Sequence, residues 1–150
     1  GLSLLQEWAY LIGSEKATPI KEKVIHISAL LAGSVSHFNL DEKPLAVGYH
    51  MPCHLKIQEE SQSTLKLMEQ IPGVDVKHLD SHCCGIAGSW GLAKKNYDLS
   101  KEIAEDMIEK LDQSKSSIGA TDCPTCRMQM EEFSSKTIKH PIEILAERLR

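Results

Sequence analysis

No apolar run in this 150-residue chain approaches the roughly 18 residues that a bilayer-spanning helix needs. Nor is there the basic start, apolar stretch and small-residue cleavage site of a secretory signal. Positive charge is in deficit: 17 lysines and arginines against 21 aspartates and glutamates leave a formal net charge of −4. Nucleic-acid binders carry basic patches, so this balance argues against that class. Neither the Rossmann nor the Walker glycine pattern is present. No Ser/His/Asp array or spaced carboxylate pair stands out, and substrate chemistry within this chain has no visible carrier. What is present is ordinary for a globular domain: 41% hydrophobic and 25% charged residues, in a length that buries one core.

Against that background the cysteines stand out. There are five, and all fall into one pattern: Cys53, then the adjacent pair Cys83–Cys84 followed by Gly85, then Cys123-Pro124-Thr125-Cys126. With no sign of secretion, an odd, clustered set suits reduced ligands in the cytoplasm better than a disulfide framework. A tetrahedral zinc takes four ligands, and five thiolates around one divalent ion would leave most of their charge uncompensated. Several metal ions bridged by sulfide meet both objections. Side chains of neighbouring residues on an extended backbone point apart, so Cys83 and Cys84 serve different ions more easily than one. Cys53, Cys83, Cys84, Cys123 and Cys126 are therefore the expected ligands of an iron–sulfur cluster. Two alternatives stay open. Thiolates also select zinc, which makes a zinc-stabilised structural or interaction module the first, and Cys123 with Cys126 spells a thiol–disulfide pair in the second.

The coarse reading alternates strands and helices. Helical spacing covers Leu2–Ile12 and, from Pro19 to about Ala32, a second helix with apolar Ile20, Val24, Ile27, Leu30 and Leu31; both are expected in the core, with His26 packed among them. A polar loop, 34–43, ends at Pro44. Strands are expected at Leu45–Tyr49, Val74–Leu79 and Ser117–Ala120, with a short one at Thr137–Ile138. Helices are expected at Glu59–Ile71, Asn96–Leu111, Thr125–Phe133 and Ile142–Leu149. This predicts an α/β fold, a small parallel sheet of three or four strands with flanking helices and extra N-terminal helices. Each cysteine group follows a different strand, at the edge where open α/β sheets bind their ligands.

Other residues crowd the ligand loops. Gly85, Gly88 and Gly91 are expected to let the backbone approach the cluster and offer amide hydrogens to sulfur, a lever on its potential. Trp90 either roofs the site or fills the core. His50, His54 and His82 are expected behind the ligands rather than among them. Lys56, Lys94 and Lys95 could offset cluster charge, although exposure to solvent is the default for lysine.

A lone cysteine, Cys-Cys-Gly and Cys-x-x-Cys together resemble the CCG cysteine-rich domain. That domain occurs in the B subunit of heterodisulfide reductase, in glycolate oxidase iron–sulfur subunits and in the C subunit of anaerobic glycerol-3-phosphate dehydrogenase. The stretches 48–56, 82–91 and 121–126, with His140-Pro141-Ile142, carry the resemblance, most strongly to the last of these. It implies a 4Fe-4S-type cluster, non-cubane and built from linked partial cubanes, with zinc a possible occupant in air-handled protein. It also implies a flavoprotein dehydrogenase as electron source and a membrane quinone, reached through other subunits such as a membrane anchor, as destination. The chain would then be cytoplasmic, peripheral at the inner face of the membrane through its partners.

Residues 1–43 are expected to lead from a preceding domain, and 44–150 to form the cysteine-rich domain. A first residue of glycine rather than methionine is expected of an excised piece or of a tag remnant. His26-Ile-Ser-Ala-Leu-Leu-Ala32 also aligns with His140-Pro-Ile-Glu-Ile-Leu-Ala146, sharing the histidine and the final Leu-Ala. The family commonly carries two such domains in tandem, and a duplicated protein is the expectation.

Overall fold

The computed structural model describes residues 2–150. Strands β1 (Leu45–Tyr49), β2 (Val74–His78), β3 (Ile118–Ala120) and β4 (Ile138–Lys139) form one sheet in the order β2-β1-β3-β4. All three pairings are parallel, as strands joined by helices require. β1 is central, pairing with β2 from Leu45↔Val74 to Tyr49↔His78 and with β3 from Val47↔Ile118 to Tyr49↔Ala120. The strand ends at Tyr49, His78 and Ala120 thus lie side by side, and each is followed within a few residues by cysteine. The expected α/β architecture is the one the chain adopts.

Four helices precede the sheet: α1 (Leu2–Gln6), α2 (Trp8–Ile12), α3 (Ser14–Lys21) and α4 (Ile27–Ala32). A single turn, α5 (Cys53–Lys56), and α6 (Ser63–Glu69) link β1 to β2. The long α7 (Tyr97–Gln113) links β2 to β3, α8 (Pro124–Phe133) links β3 to β4, and α9 (Pro141–Ala146) follows.

The two faces of the sheet bury separate clusters. On one, Val47 and Tyr49 meet Leu67, Met68 and Ile71 beside Ile144 and Leu145. On the other, Met107 and Leu111 of α7 and Met130 of α8 pack with Ile138 and with the thiols of Cys84 and Cys126. Full burial of each such side chain contributes about 2 kcal/mol. Gly48 and Gly119 are register partners, and both face α7. A Cβ on Gly48 would stand 3.0 Å from Leu111 Cδ1, and one on Gly119 2.6 Å from Ile138 Cδ1. Missing side chains on two adjacent strands let α7 and α8 settle onto the sheet.

The N-terminal segment departs from expectation. The second helix is interrupted: α3 ends at Lys21 with Pro19 inside it, and His26 takes an extended conformation before α4. His26 Nδ1 accepts the Ser28 amide at 3.3 Å, so the side chain starts a new helix instead of continuing the old one. These helices are not core throughout. Ile27 and Leu30 are exposed, whereas Ala17 and Ser28 are buried. Between Glu59 and Ile71 the helix is shorter than its apolar residues suggest, beginning only at Ser63. The loop after α4 is no free linker: Leu40 bridges Leu149, and the Arg148 guanidinium reaches Asp41 at 2.6 Å and the Lys43 carbonyl at 2.7 Å. Among the described residues no helix is long and apolar enough to cross a membrane.

Candidate metal centre

The cysteines arrive from the three strand ends. β1 runs through His50 to Pro52, and Cys53 opens α5. β2 passes into the loop carrying Cys83 and Cys84. β3 passes into Cys123 at the N-cap position of α8, with Pro124 at the first helical position and Cys126 at the third. All five line one cavity of about 290 Å³. Cys84 and Cys126 form its buried floor, Cys83 and Cys123 are half-buried, and Cys53 stands exposed at its rim. The vicinal pair differs in burial, Cys84 packing into the core cluster while Cys83 stays half-buried beside it. Among the described residues no three His, Cys, Asp or Glu side chains are gathered tightly enough to hold one metal ion. The thiols neighbour one another in turn: Cys126 lies beside both Cys123 and Cys84, and Cys83 beside Cys84 and Cys53.

The Cys83–Cys84 loop is held in unusual backbone geometry. Asp80, Gly85, Ala87 and Gly88 have positive φ, four of the six such residues in the described chain. Left-handed backbone at Asp80 and Ala87 costs of order 1 kcal/mol each, and such strain gathers where loop shape serves a site. At Gly85 the requirement is strict: φ is +84°, and a Cβ would lie 2.1 Å from the Ser100 carbonyl oxygen of α7. Its amide donates to Cys83 Sγ at 3.4 Å, as the glycine reading expects. Gly88 lines the cavity. Gly91 does something else, admitting the Ser100 side chain, whose Oγ would be 2.4 Å from a Cβ there.

The thiols do not share one acidity. The Cys126 thiol beside Cys123 pulls Cys123 down to about 5, with the Thr125 hydroxyl, 3.1 Å from its sulfur, adding to the effect. Cys126 also draws Cys84 down to about 7. Cys126, donating towards both neighbours from a buried place, is driven far up. Thiolate, the form in which sulfur binds metal, is thus favoured at Cys123 at neutral pH and brought within reach at Cys84. An array of five sulfurs, two of them with lowered pKa and a third already accepting a glycine amide, fits a sulfur-bridged metal cluster.

The other expected residues divide. His54 lines the cavity. His50 is buried beneath it, its Nδ1 2.8 Å from Ser81 Oγ, and burial holds the imidazole down to about 4. His82 is exposed, and its amide rather than its ring is engaged, by Asp106 at 2.8 Å. Lys56 donates to the Ser81 carbonyl at 2.8 Å and lines a second recess of about 360 Å³ with Cys53 and Cys83. Lys94 and Lys95 are exposed and line neither recess. Trp90 neither roofs the site nor fills the core; it is 42% exposed and outside the cavity wall.

Sequence reasoning missed His26, Gln58 and Asp122, all on the cavity wall. The Asp122 side chain is 6% exposed; its two oxygens accept from Tyr49 at 2.5 Å and Thr64 at 2.9 Å. Burial, then the Asp122 charge, pushes the Tyr49 hydroxyl far up, which keeps it a donor. The position of Asp122 next to Cys123 was the available signal. His26, nearly a hundred residues away, gave none beyond its likeness to His140.

Comparison with known proteins places this site in context. The family model for the cysteine-rich domain matches residues 47–131. The C subunit of anaerobic glycerol-3-phosphate dehydrogenase from Escherichia coli (strain K12) is 42% identical over 106 residues, 71% of this chain and 27% of that protein. The B subunit of fumarate reductase (CoM/CoB) from Methanothermobacter marburgensis is 23% identical over 120 residues, 78% of this chain and 24% of that one. Lactate utilization protein A 2 of Bacillus cereus (strain Q1) is 24% identical over 147 residues, 90% of this chain and 59% of the relative. The chain spans about a quarter of the length of the first two.

Proposed function

The chain belongs to the cysteine-rich domain family, and from that premise we propose that it is an iron–sulfur electron-transfer domain of an oxidoreductase. The observation that carries the proposal is the meeting of all five cysteines on one cavity wall. Cys53, Cys83, Cys84, Cys123 and Cys126 would hold the cluster, of 4Fe-4S type and non-cubane, which when bound takes up and releases electrons. The protein's own contribution is separate. The Gly85 amide donates to Cys83 sulfur, the apolar floor around Cys84 and Cys126 limits water, and the strained loop shapes the stretch that carries Cys83 and Cys84. Hydrogen bonds and burial of this kind set a cluster's potential. Five thiols on one wall, one more than a tetrahedral zinc takes, favour several bridged ions over one zinc, and zinc in this cavity is the reading for protein handled in air, where clusters and thiols oxidise.

Likeness to a named dehydrogenase subunit supports a flavoprotein dehydrogenase as electron source, with a membrane quinone as destination through an anchor subunit. The location would then be cytoplasmic, at the membrane only through partners. Residues 1–43 would close a preceding copy of the domain 44–150; Gly1 lies outside the described residues. Two caps support this. His26 and His140 each accept a helix amide on Nδ1, at 3.3 and 3.1 Å, and each has its own amide taken by a glutamate at 2.7 Å, Glu60 and Glu143 respectively. Coding sequence upstream of residue 1 should carry a second, related domain; a start codon there with nothing related before it refutes the duplication.

The electron-transfer role is tested by reductive titration of the anaerobically reconstituted protein. Reversible bleaching of visible absorption with a paramagnetic reduced state is expected. Reconstituted protein that shows no reversible redox change overturns the role.

A further inference from the structure

His26 comes from the helical segment before the sheet, yet its side chain lines the cysteine cavity. It is fixed from several directions. The His26 amide donates to Glu60 Oε2 at 2.7 Å, and Nδ1 accepts the Ser28 amide at 3.3 Å. An imidazole that accepts on Nδ1 carries its proton on Nε2. That Nε2–H stands 3.8 Å from Asp122 Oδ1, beyond hydrogen-bonding reach but within attraction of the carboxylate. Both Asp122 oxygens are already engaged, by Tyr49 and by Thr64, and Thr64 Oγ1 in turn lies 3.0 Å from the Ser28 hydroxyl. The result is a ring held at the cavity wall with one oriented donor and no acceptor for it among the described residues. A packed core histidine does not need this arrangement.

We propose that His26 donates its Nε2–H to a sulfur of the cluster bound in this cavity, and so raises the cluster's potential. A donor to sulfur stabilises the reduced, more negative state over the oxidised one. The inference rests on the cluster reading of the same cavity and adds a residue outside the five-cysteine pattern. It also gives the N-terminal segment a part in the site: displacing α4 would withdraw the donor.

The test uses the full chain, reconstituted anaerobically with iron and sulfide, as wild type and as His26→Asn. Asparagine keeps a short acceptor for the Ser28 amide, so the α4 cap survives, but it cannot reach the cavity. The variant should load the same iron and sulfide, with its midpoint potential shifted down. In wild type labelled with ¹⁵N-histidine, pulsed electron paramagnetic resonance of the reduced cluster should show a nitrogen coupling that His26→Asn loses. A loaded variant with unchanged potential overturns the inference while leaving the cluster reading intact. Labelled wild type with no histidine coupling overturns it without any substitution. Wild type that takes up no iron and sulfide overturns the cluster reading, and this inference with it.

Discussion

Single residues at this site are distinguished by environment rather than by type. Cys123 and Cys126 are three apart on one helix end, yet in metal-free protein they should behave oppositely. Cys123, drawn down to about 5, is a thiolate at pH 6, whereas Cys126 holds its proton. Brief iodoacetamide treatment at pH 6 followed by peptide mass mapping should find Cys123 modified well before Cys126; equal labelling contradicts the assignment. His50 gives a stability signature. Its folded value of about 4 lies below the 6.5 of a free histidine, so on acidification the unfolded chain takes up the proton first. Stability should fall between pH 6.5 and 4, by about 3 kcal/mol over the window. Urea midpoints measured across that range should slope less in His50→Gln; parallel slopes contradict the account. His54 lines the cavity without belonging to the thiol set. His54→Ala should keep the iron with a shifted potential, while Cys84→Ser should lose the cluster or alter its spectrum; equal loss of iron makes histidine a ligand. The five cysteines were legible in the sequence because every one belongs to a single pattern. Asp122 carried only its place beside Cys123 as a signal, and His26 carried none, because the packing of α4 brings it to the wall from outside the pattern.

At the scale of elements, the backbone needs of the loops and helix ends decide most. Gly85 combines left-handed backbone with a Cβ position 2.1 Å from the Ser100 carbonyl. Gly85→Ala should therefore push α7 away from the cysteine loop and prevent cluster retention, measured as iron per chain after desalting. Gly119→Ala meets the movable end of Ile138 instead, and should fold with a loss of about 1–3 kcal/mol in denaturant unfolding. The C-terminal end of α7 is closed by Lys136, whose ammonium lies 2.6 Å from the Leu111 carbonyl and 3.0 Å from that of Ser114. Strands and long helices were readable from periodicity: β1 ends where Leu45-Ala-Val-Gly-Tyr49 ends, and α7 follows its apolar stripe. The break at His26 was not, because it depends on capping contacts, one of them distant in sequence. Glu60, which takes the His26 amide, lies 34 positions away in sequence.

Across the whole molecule, topology does what no single motif does. Three parallel strand ends set side by side bring cysteines from distant parts of the chain to one wall, and separate apolar clusters on the two sheet faces hold that edge in place. The alternation of strands and helices made this convergence legible from the chain alone. The seat of the N-terminal helices was not legible, since an amphipathic stripe does not say which neighbour covers it. The central claim is that this wall holds several sulfur-bridged iron ions and not one zinc. Metal and acid-labile sulfide analysis of anaerobically reconstituted protein tests it most directly. The account predicts several irons per chain with comparable sulfide, both lost in Cys84→Ser; one zinc per chain with neither iron nor sulfide would contradict it.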